Sequence, residues 1–527
     1  MEKTRNTNNK SKNKNMAKSQ KGITLVALVI TVIIIIILAT VAINFAFGNN
    51  GLITRAEQAR DFYANDTKYT DDSMSNVKSY IDGIIPEEPF IPQQTPEPEQ
   101  GETELSDADK RNGVIEIKWL SGTSNNVTDT PNAPLIKEDL PDGTTMELVR
   151  YTGEGSTEQE RWVAGTEYSY EPGTGSSDNT SSKWANARVT IDGIDSYFVW
   201  IPRYAYRIIY FDSAESKKAY QNGTLTEEEA KAQGKIKGYS DSRGIVDAEG
   251  KKVANAESTT KEMVSEDYFM THPAFLADAD LGGGFGNNKG TNDNGISGIW
   301  IGKYETARSN ATSSSSGSGT TLKVQPNVIS FINVFIGSAY TYSLEYSTDL
   351  KSHMLKNSEW GAVAYLTESK YGRNGTEIGQ NTNSSYITGG GADNAYATTN
   401  QDQSTTGNVY GIYDMRGGAD DYVASYYNGS GADLDYGDNF ASVNGTSTEY
   451  ATAYAGDDES TSYKYGDATY ETSEWHSDSA LFVNSRTPFF SRGGYYNYGA
   501  SVAGVFCSNL SNGSISNRRS FRLSLVV

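Results

Sequence analysis

The last 36 residues, RGGYYNYGASVAGVFCSNLSNGSISNRRSFRLSLVV from Arg492 to Val527, constrain the chain more than any other stretch. Small and apolar residues recur in blocks: Arg492-Gly493-Gly494, Ala503-Gly504-Val505-Phe506 and Phe521-Arg522-Leu523. Between the blocks stand tyrosines and small polar residues. The blocks read as a frame that holds a fold, with Arg492, Gly493, Gly494, Gly504, Phe506, Phe521 and Arg522 as its fixed points. The residues between them read as fillers that face a partner. This pattern predicts a binding surface and not a reaction centre.

Composition narrows the partners. The chain has 527 residues, a net charge of −21, 35 Tyr and 52 Gly. That acidity repels phosphate, and no basic stripe appears, so nucleic acid is excluded as an expected partner. A single cysteine, Cys507, rules out a disulfide scaffold and a zinc-knuckle array. The three histidines, His272, His353 and His476, have no metal-ligand spacing.

The N-terminus reads as a membrane and processing segment. Residues 1–22 carry seven bases and one acid, and Ile23 to Phe47 runs 25 residues without a charge. A helix of that length crosses a hydrocarbon core of about 30 Å. The basic flank predicts a single-pass cell-membrane protein with its N-terminus inside and its bulk outside. Without residues 1–22 the net charge falls from −21 to −27, which suits an exported, soluble exterior. Residues 23–85 read as this helix and its extension. Residues 86–110 hold five prolines and many acids, and read as an extended linker.

From Arg111 the pattern turns β-rich. Val114–Trp119 and Met146–Val149 alternate, and 111–192 reads as a small β region before a larger domain over 193–527. Tyr197–Ile201, ended by Pro202, and Gly298–Gly302 read as buried strands. Ser358–Leu366 has helical spacing, with Ser358 as its N-cap. Tyr410–Gly418 reads as strand, turn and glycine kink.

Three resemblances follow. KGITLVALVITVIIIIILATVAINFAFG resembles the type IV prepilin leader and first helix. The resemblance implies a prepilin peptidase as partner, with cleavage between Gly22 and Ile23 and methylation of the new N-terminus. Pilins usually carry Glu at the fifth mature position. Here it is Ala27, which fits a minor or tip subunit or a simple anchor rather than a bulk pilus subunit. Other pilins are then candidate partners, and a pilus or its tip a candidate location. Further on, NSEWGAVAYL, YGIYDMRGGADDYV, SRGGYYN and SFRL, in that order, resemble the formylglycine-generating-enzyme/sulfatase-modifying family. The implied fold class is α+β: an N-terminal transmembrane pilin-like helix, then a loop-rich C-type-lectin-like domain. The family's oxidase uses a cysteine pair to bind copper, and one thiol cannot make that site.

Arg492-Gly493-Gly494, Gly499, Gly504-Val505-Phe506, Leu510 and Phe521-Arg522 are similar, more closely, to the variable proteins of diversity-generating retroelements. Tyr496 stands where Trp is usual, and Ser520 where Gly is usual. The mechanism of that family mutates adenines in Asn-type codons. The resemblance makes Tyr495, Asn497, Tyr498, Ser501, Val502, Cys507, Ser508, Asn509, Ser511, Asn512, Ser514, Ser516, Asn517 and Arg518 the variable-type, ligand-binding positions.

The chain is therefore expected to be a surface-anchored, non-enzymatic adhesin or receptor. Its ligand would be a protein or glycan on another cell or a phage. A structural minor pilin or pseudopilin and a divergent formylglycine-generating-type oxidase are the competing readings. Tyrosine in the Tyr495–Tyr498 cluster suits a paratope, although aromatic packing in a tyrosine-rich domain accounts for it as well. Cys507 reads as a small buried hydrophobe, Asp414 as a buttress, and Arg492 and Arg522 as donors to internal carbonyls and carboxylates. Asp420-Asp421 and the loop 282–294 carry oxygens suited to structural calcium, but solvated acidic loops are the simpler reading of both. No catalytic residue, metal ligand set or other cofactor is expected.

Overall fold

Strand pairing in the computed structural model runs through three main sheets. The structure describes residues 110–173, 181–239, 245–246, 269–286, 295–441, 446–499 and 502–527. The leader, the apolar run and all of the Pro/acid linker except Lys110 lie outside the described residues, as do Gly22 and Ile23. Among the described residues no helix is long and apolar enough to cross a membrane. They belong to one compact unit, Gly101–Val527, and are β-rich with few helices.

A seven-stranded antiparallel sheet orders His353–Met354, Leu523–Leu525, Gly298–Gly302, Ile194–Pro202, Asn186–Ile191, Thr144–Tyr151 and Trp162–Ala164. A second, six-stranded sheet is built around Gly113–Leu120 and Tyr204–Phe211, which pair antiparallel from Gly113↔Tyr210 to Trp119↔Tyr204. The chain passes from the first sheet to the second at Pro202-Arg203. Arg203 fixes this crossing by donating to Phe275 O at 2.7 Å and Asn125 Oδ1 at 2.6 Å. The expected strands at 114–119, 146–149, 197–201 and 298–302 lie in these sheets. The expected boundary at 192/193 does not divide the fold. It falls in the turn of the Asn186–Ile191/Ile194–Pro202 hairpin, and strands from both sides share each sheet. Alternation read locally shows strand character but not which strand is the partner.

The third sheet carries the C-terminal segment. Its central strand, Asp420–Tyr427, is flanked by Thr452–Tyr454 and Phe489–Arg492, with Ser508–Ser511 beyond and Arg519–Phe521 parallel to its start. The strand expected within 410–418 is absent: residues 411–419 form loop and bends apart from an isolated parallel bridge of Gly417 to Asn381, and the sheet strand starts at Asp420. Asp414 is the reason. It sits at a left-handed φ of 62°, buried, and accepts from Asn381 Nδ2 at 2.9 Å and Gly389 N at 2.8 Å. The buttress expected of Asp414 is therefore also what bends the chain.

The helix Asn357–Glu368 runs through the core with every residue buried. Its N-cap position is Lys356, not Ser358, and Lys356 N donates to Glu359 Oε2 at 3.0 Å. Ser358 Oγ instead reaches out to Gly282 O at 2.5 Å. All seven tryptophans are buried. With buried and partly buried tyrosines they form an aromatic core, exemplified by Trp119, 5.5 Å from buried Tyr170 and 4.8 Å from partly buried Tyr371.

Candidate functional site

The C-terminal segment leaves the third sheet at Arg492, and its frame is locked there. Arg492 is fully buried and donates to Ala468 O at 2.7 Å and Asp467 O at 3.3 Å. Gly493 and Gly494 follow at φ of 83° and 69°. Two consecutive left-handed residues turn the chain out of the sheet at little cost only when neither has a Cβ. The chain returns at Gly504, where a Cβ would lie 2.0 Å from both oxygens of the Asp478 carboxylate. Asp478 in turn accepts from Phe506 N at 3.0 Å, and Phe506 packs on Trp475 at 5.3 Å. Trp360 Nε1 donates to Val505 O at 2.7 Å. Phe521 packs on Phe331. Arg522, with no exposed surface, donates to Asp421 Oδ2 at 3.1 Å, Gly302 O at 2.9 Å and Tyr413 O at 3.0 Å.

Asp420 and Asp421 are not solvated loop acids. Both are buried at the start of the central strand of the third sheet. Asp421 is matched by Arg522, and Asp420 has Arg519 Nε at 3.7 Å. Burial pushes both carboxyls up to about 6, against the pull of these arginines. In the glycine loop, the carbonyls of Gly282 and Gly283 are taken by Ser358 Oγ and Lys356 Nζ, and residues 287–294 lie outside the described residues. Among the described residues no group of three or more His, Cys, Asp and Glu side chains is arranged to hold a metal ion.

The fillers divide in two. Cys507, Ser508 and Ser511 are buried and face inward. Cys507 Sγ donates to Val502 O at 3.1 Å, and burial pushes its thiol up. Ser508 Oγ donates to Leu481 O at 2.8 Å, and Ser511 Oγ accepts from Gly513 N at 2.9 Å. These three belong with the frame. For Ser508 and Ser511 the physical reason is their strand, Ser508–Ser511, which pairs Arg492↔Ser508 through Phe489↔Ser511 and buries both of its ends, while Cys507 sits in the turn before it and donates its N–H to Gly504 O at 3.0 Å. Tyr495, Asn497, Tyr498, Val502, Asn509, Asn512, Ser514, Ser516, Asn517 and Arg518 keep exposed surface. Ser501 lies outside the described residues.

The exposed fillers include an aromatic cluster. Tyr495 and Tyr498 approach to 4.2 Å between ring centroids, and Tyr495 and Tyr496 to 5.5 Å. The Arg518 guanidinium lies 5.2 Å from the Tyr495 ring and 5.9 Å from the Tyr498 ring. Beneath them, burial and the nearby Asp420 carboxylate push the Tyr498 phenol up. The main chain under the cluster is held by backbone atoms and by the Gln380 side chain. Tyr498 N donates to Tyr495 O at 2.9 Å and Tyr496 N to Gly418 O at 2.9 Å. Gln380 Nε2 donates to Tyr498 O at 2.8 Å and Tyr496 O at 3.2 Å. Farther along, Asn333 N donates to Ser516 O, and Asp420 N to Arg518 O, both at 2.9 Å.

Three contributors were not visible as site residues in the sequence. Tyr496 continues the cluster instead of serving only as frame. Tyr386, from a loop more than a hundred residues earlier, meets Tyr496 edge-on at 5.2 Å with a left-handed φ of 56°. Gln380 clamps the turn. The one local signal for Tyr386 is its place as the lone aromatic in the Asn/Ser/Gly-rich run 381–391.

No family model and no curated protein matches the chain. Among solved structures, the chain is similar to Treponema denticola variable protein 1, with 13% identity over 46% of this chain and 90% of that chain and a TM-score of 0.22.

Proposed function

We propose that this chain is a ligand-binding protein whose C-terminal segment presents a Tyr/Asn/Ser-rich surface able to change its side chains without losing its fold. One observation carries the reading. The main chain of the exposed Tyr495–Tyr498 turn is held by Gly418 O, by its own backbone and by the part-buried Gln380 side chain, while the frame side chains Arg492 and Arg522 are buried. A surface anchored in this way tolerates substitution at Tyr495 and Tyr498, whose side chains make no hydrogen bond among the described residues, whereas Asn509, Asn512 and Ser516 each make a local one. Tyrosine supplies broad amphipathic contact with few rotors, and Asn and Ser supply adaptable hydrogen bonds. Arg518 beside the two tyrosine rings adds a positioned cation.

The finer reading is a cell-surface adhesin or receptor, anchored by a processed prepilin-like helix and diversified by a retroelement, whose role is binding and not catalysis. Its ligand would be a protein or glycan on another cell or a phage. The lone thiol supports a non-catalytic role, since Cys507 is buried and burial raises its proton affinity, the reverse of what a thiolate ligand or nucleophile needs. Alleles of the gene test this. Substitutions should concentrate at Tyr495, Asn497, Tyr498, Asn509, Asn512, Asn517 and Arg518, with Arg492, Gly494, Gly504 and Arg522 constant and Cys507, Ser508 and Ser511 varying less than the exposed positions. Changes spread evenly over 111–527 would refute diversification.

A further inference from the structure

A second exposed aromatic feature lies outside the tyrosine cluster. The described residues contain six well-exposed large hydrophobic side chains, and three of them, Phe335, Tyr436 and Ile515, line adjoining depressions. Phe335 and Tyr436 stack almost parallel, 5° between planes and 5.4 Å between centroids, and are 37% and 39% exposed. Phe335 borders both depressions. One, of about 380 Å³, adds Ser338, Thr341, Asp435, Tyr436 and Asn439; the other, of about 480 Å³, adds Arg308, Tyr342 and Ile515.

The platform is built, not incidental. The first N–H groups of the helix Ile336–Glu345 are spent on the two loops that form it: Ile336 N donates to Gly513 O at 3.1 Å and Gly337 N to Tyr436 O at 2.9 Å. Asn439 Nδ2 ties the same corner by donating to Gly337 O and Thr341 Oγ1, both at 2.8 Å. That orients the Asn439 amide and leaves Oδ1 as its remaining acceptor. Asp435, Thr341 and Ser338 supply further polar groups around the rings.

We propose that the Phe335–Tyr436 platform binds a neutral pyranose sugar. A pyranose presents a face of C–H bonds and a rim of hydroxyls, and flat exposed rings edged by a carboxylate, an amide and hydroxyls complement both. The depressions have the volume of small-ligand sites. Three exposed apolar side chains fall well short of the roughly 800 Å² per partner that a stable protein interface buries. The net charge of −21 disfavours anionic ligands. This site shares only Ile515 with the C-terminal segment and stands or falls separately from the reading above.

Saturation-transfer difference NMR tests it, using the full-length chain in a detergent without a sugar headgroup. The probes are methyl β-D-glucopyranoside, lactose and N,N′-diacetylchitobiose. At least one should receive saturation on its ring C–H protons. Phe335→Ala and Tyr436→Ala should each weaken binding about tenfold, the scale of one lost aromatic contact. Asp435→Ala, which alters an exposed side chain, should weaken it with the near-ultraviolet dichroism unchanged. No transfer to any probe, or transfer unaffected by all three variants, overturns the proposal. So does a sedimentation experiment in which Phe335→Ala dissociates a dimer while no sugar signal exists, which would make the platform a contact between copies.

Discussion

The Arg522–Asp421 pair offers the sharpest test of the frame. Arg522→Met keeps most of the side-chain volume and removes the guanidinium. Its loss leaves Asp421, 1% exposed, as a buried carboxylate next to Asp414 and Asp420, both of which already push its proton affinity up. Removing one partner of a buried pair costs about 3–5 kcal/mol. The carbonyls of Gly302 and Tyr413 lose their donors as well, at about 1 kcal/mol each. The expected loss is about 5–7 kcal/mol, comparable with the stability of a whole domain. The second variant, Asp421→Asn with Arg522→Met, removes the orphaned charge and should recover about half. The assay is the urea midpoint followed by fluorescence of the buried tryptophans, at pH 5 and pH 8. With Arg522 gone the Asp421 carboxyl rises further above about 6, so at pH 5 it is protonated and the defect shrinks. A loss under about 1 kcal/mol, or an equal loss at both pH values, would refute the view that charge compensation holds this corner.

Three further outcomes are expected. Gly504→Ala places a methyl against Asp478 and its bond to Phe506 N, and should lower stability by about 2–3 kcal/mol, whereas exposed Asn517→Ala should stay within about 0.5 kcal/mol; thermal melts distinguish them. Cys507 should react with a thiol reagent at least about a hundredfold more slowly in the native than in the urea-unfolded chain, because it is buried; comparable rates would place it at the surface. Stability should fall as pH rises from about 5 to 8. Burial raises Asp420, Asp421 and Asp478 to about 6, and Glu377, Glu459 and Glu471 to about 7, so protonation of these groups favours the folded state, and its contribution is lost as pH climbs through those values. His272, pushed down to about 3 by burial, acts oppositely below about pH 6.5, and Lys303, which burial holds well below the usual lysine range, opposes as well, while burial also raises Glu158, Glu305, Asp414 and Asp467, which act with the six. A urea midpoint that rises over pH 5–8 would contradict this balance.

The sequence by itself determined where the rigid points of the C-terminal segment lie. Arg-Gly-Gly, Gly504, Phe506 and Phe521-Arg522 were legible because their chemistry leaves few alternatives: left-handed turns want glycine, and a buried arginine wants carbonyls and carboxylates. Strand character at 114–119, 197–201 and 298–302 was legible for a similar reason, since apolar β-formers in short runs have to be covered. The tertiary structure alone decided which fillers face out. Ser508 and Ser511 have the same residue type as their exposed neighbours, and only the pairing of their strand with Phe489–Arg492 turns them inward. It alone brought Tyr386 and Gln380 beside Tyr496, because contacts across more than a hundred residues leave no local signature. It also buried Asp420 and Asp421, acids that read as solvated until the arginines of the last strands were seen to reach them.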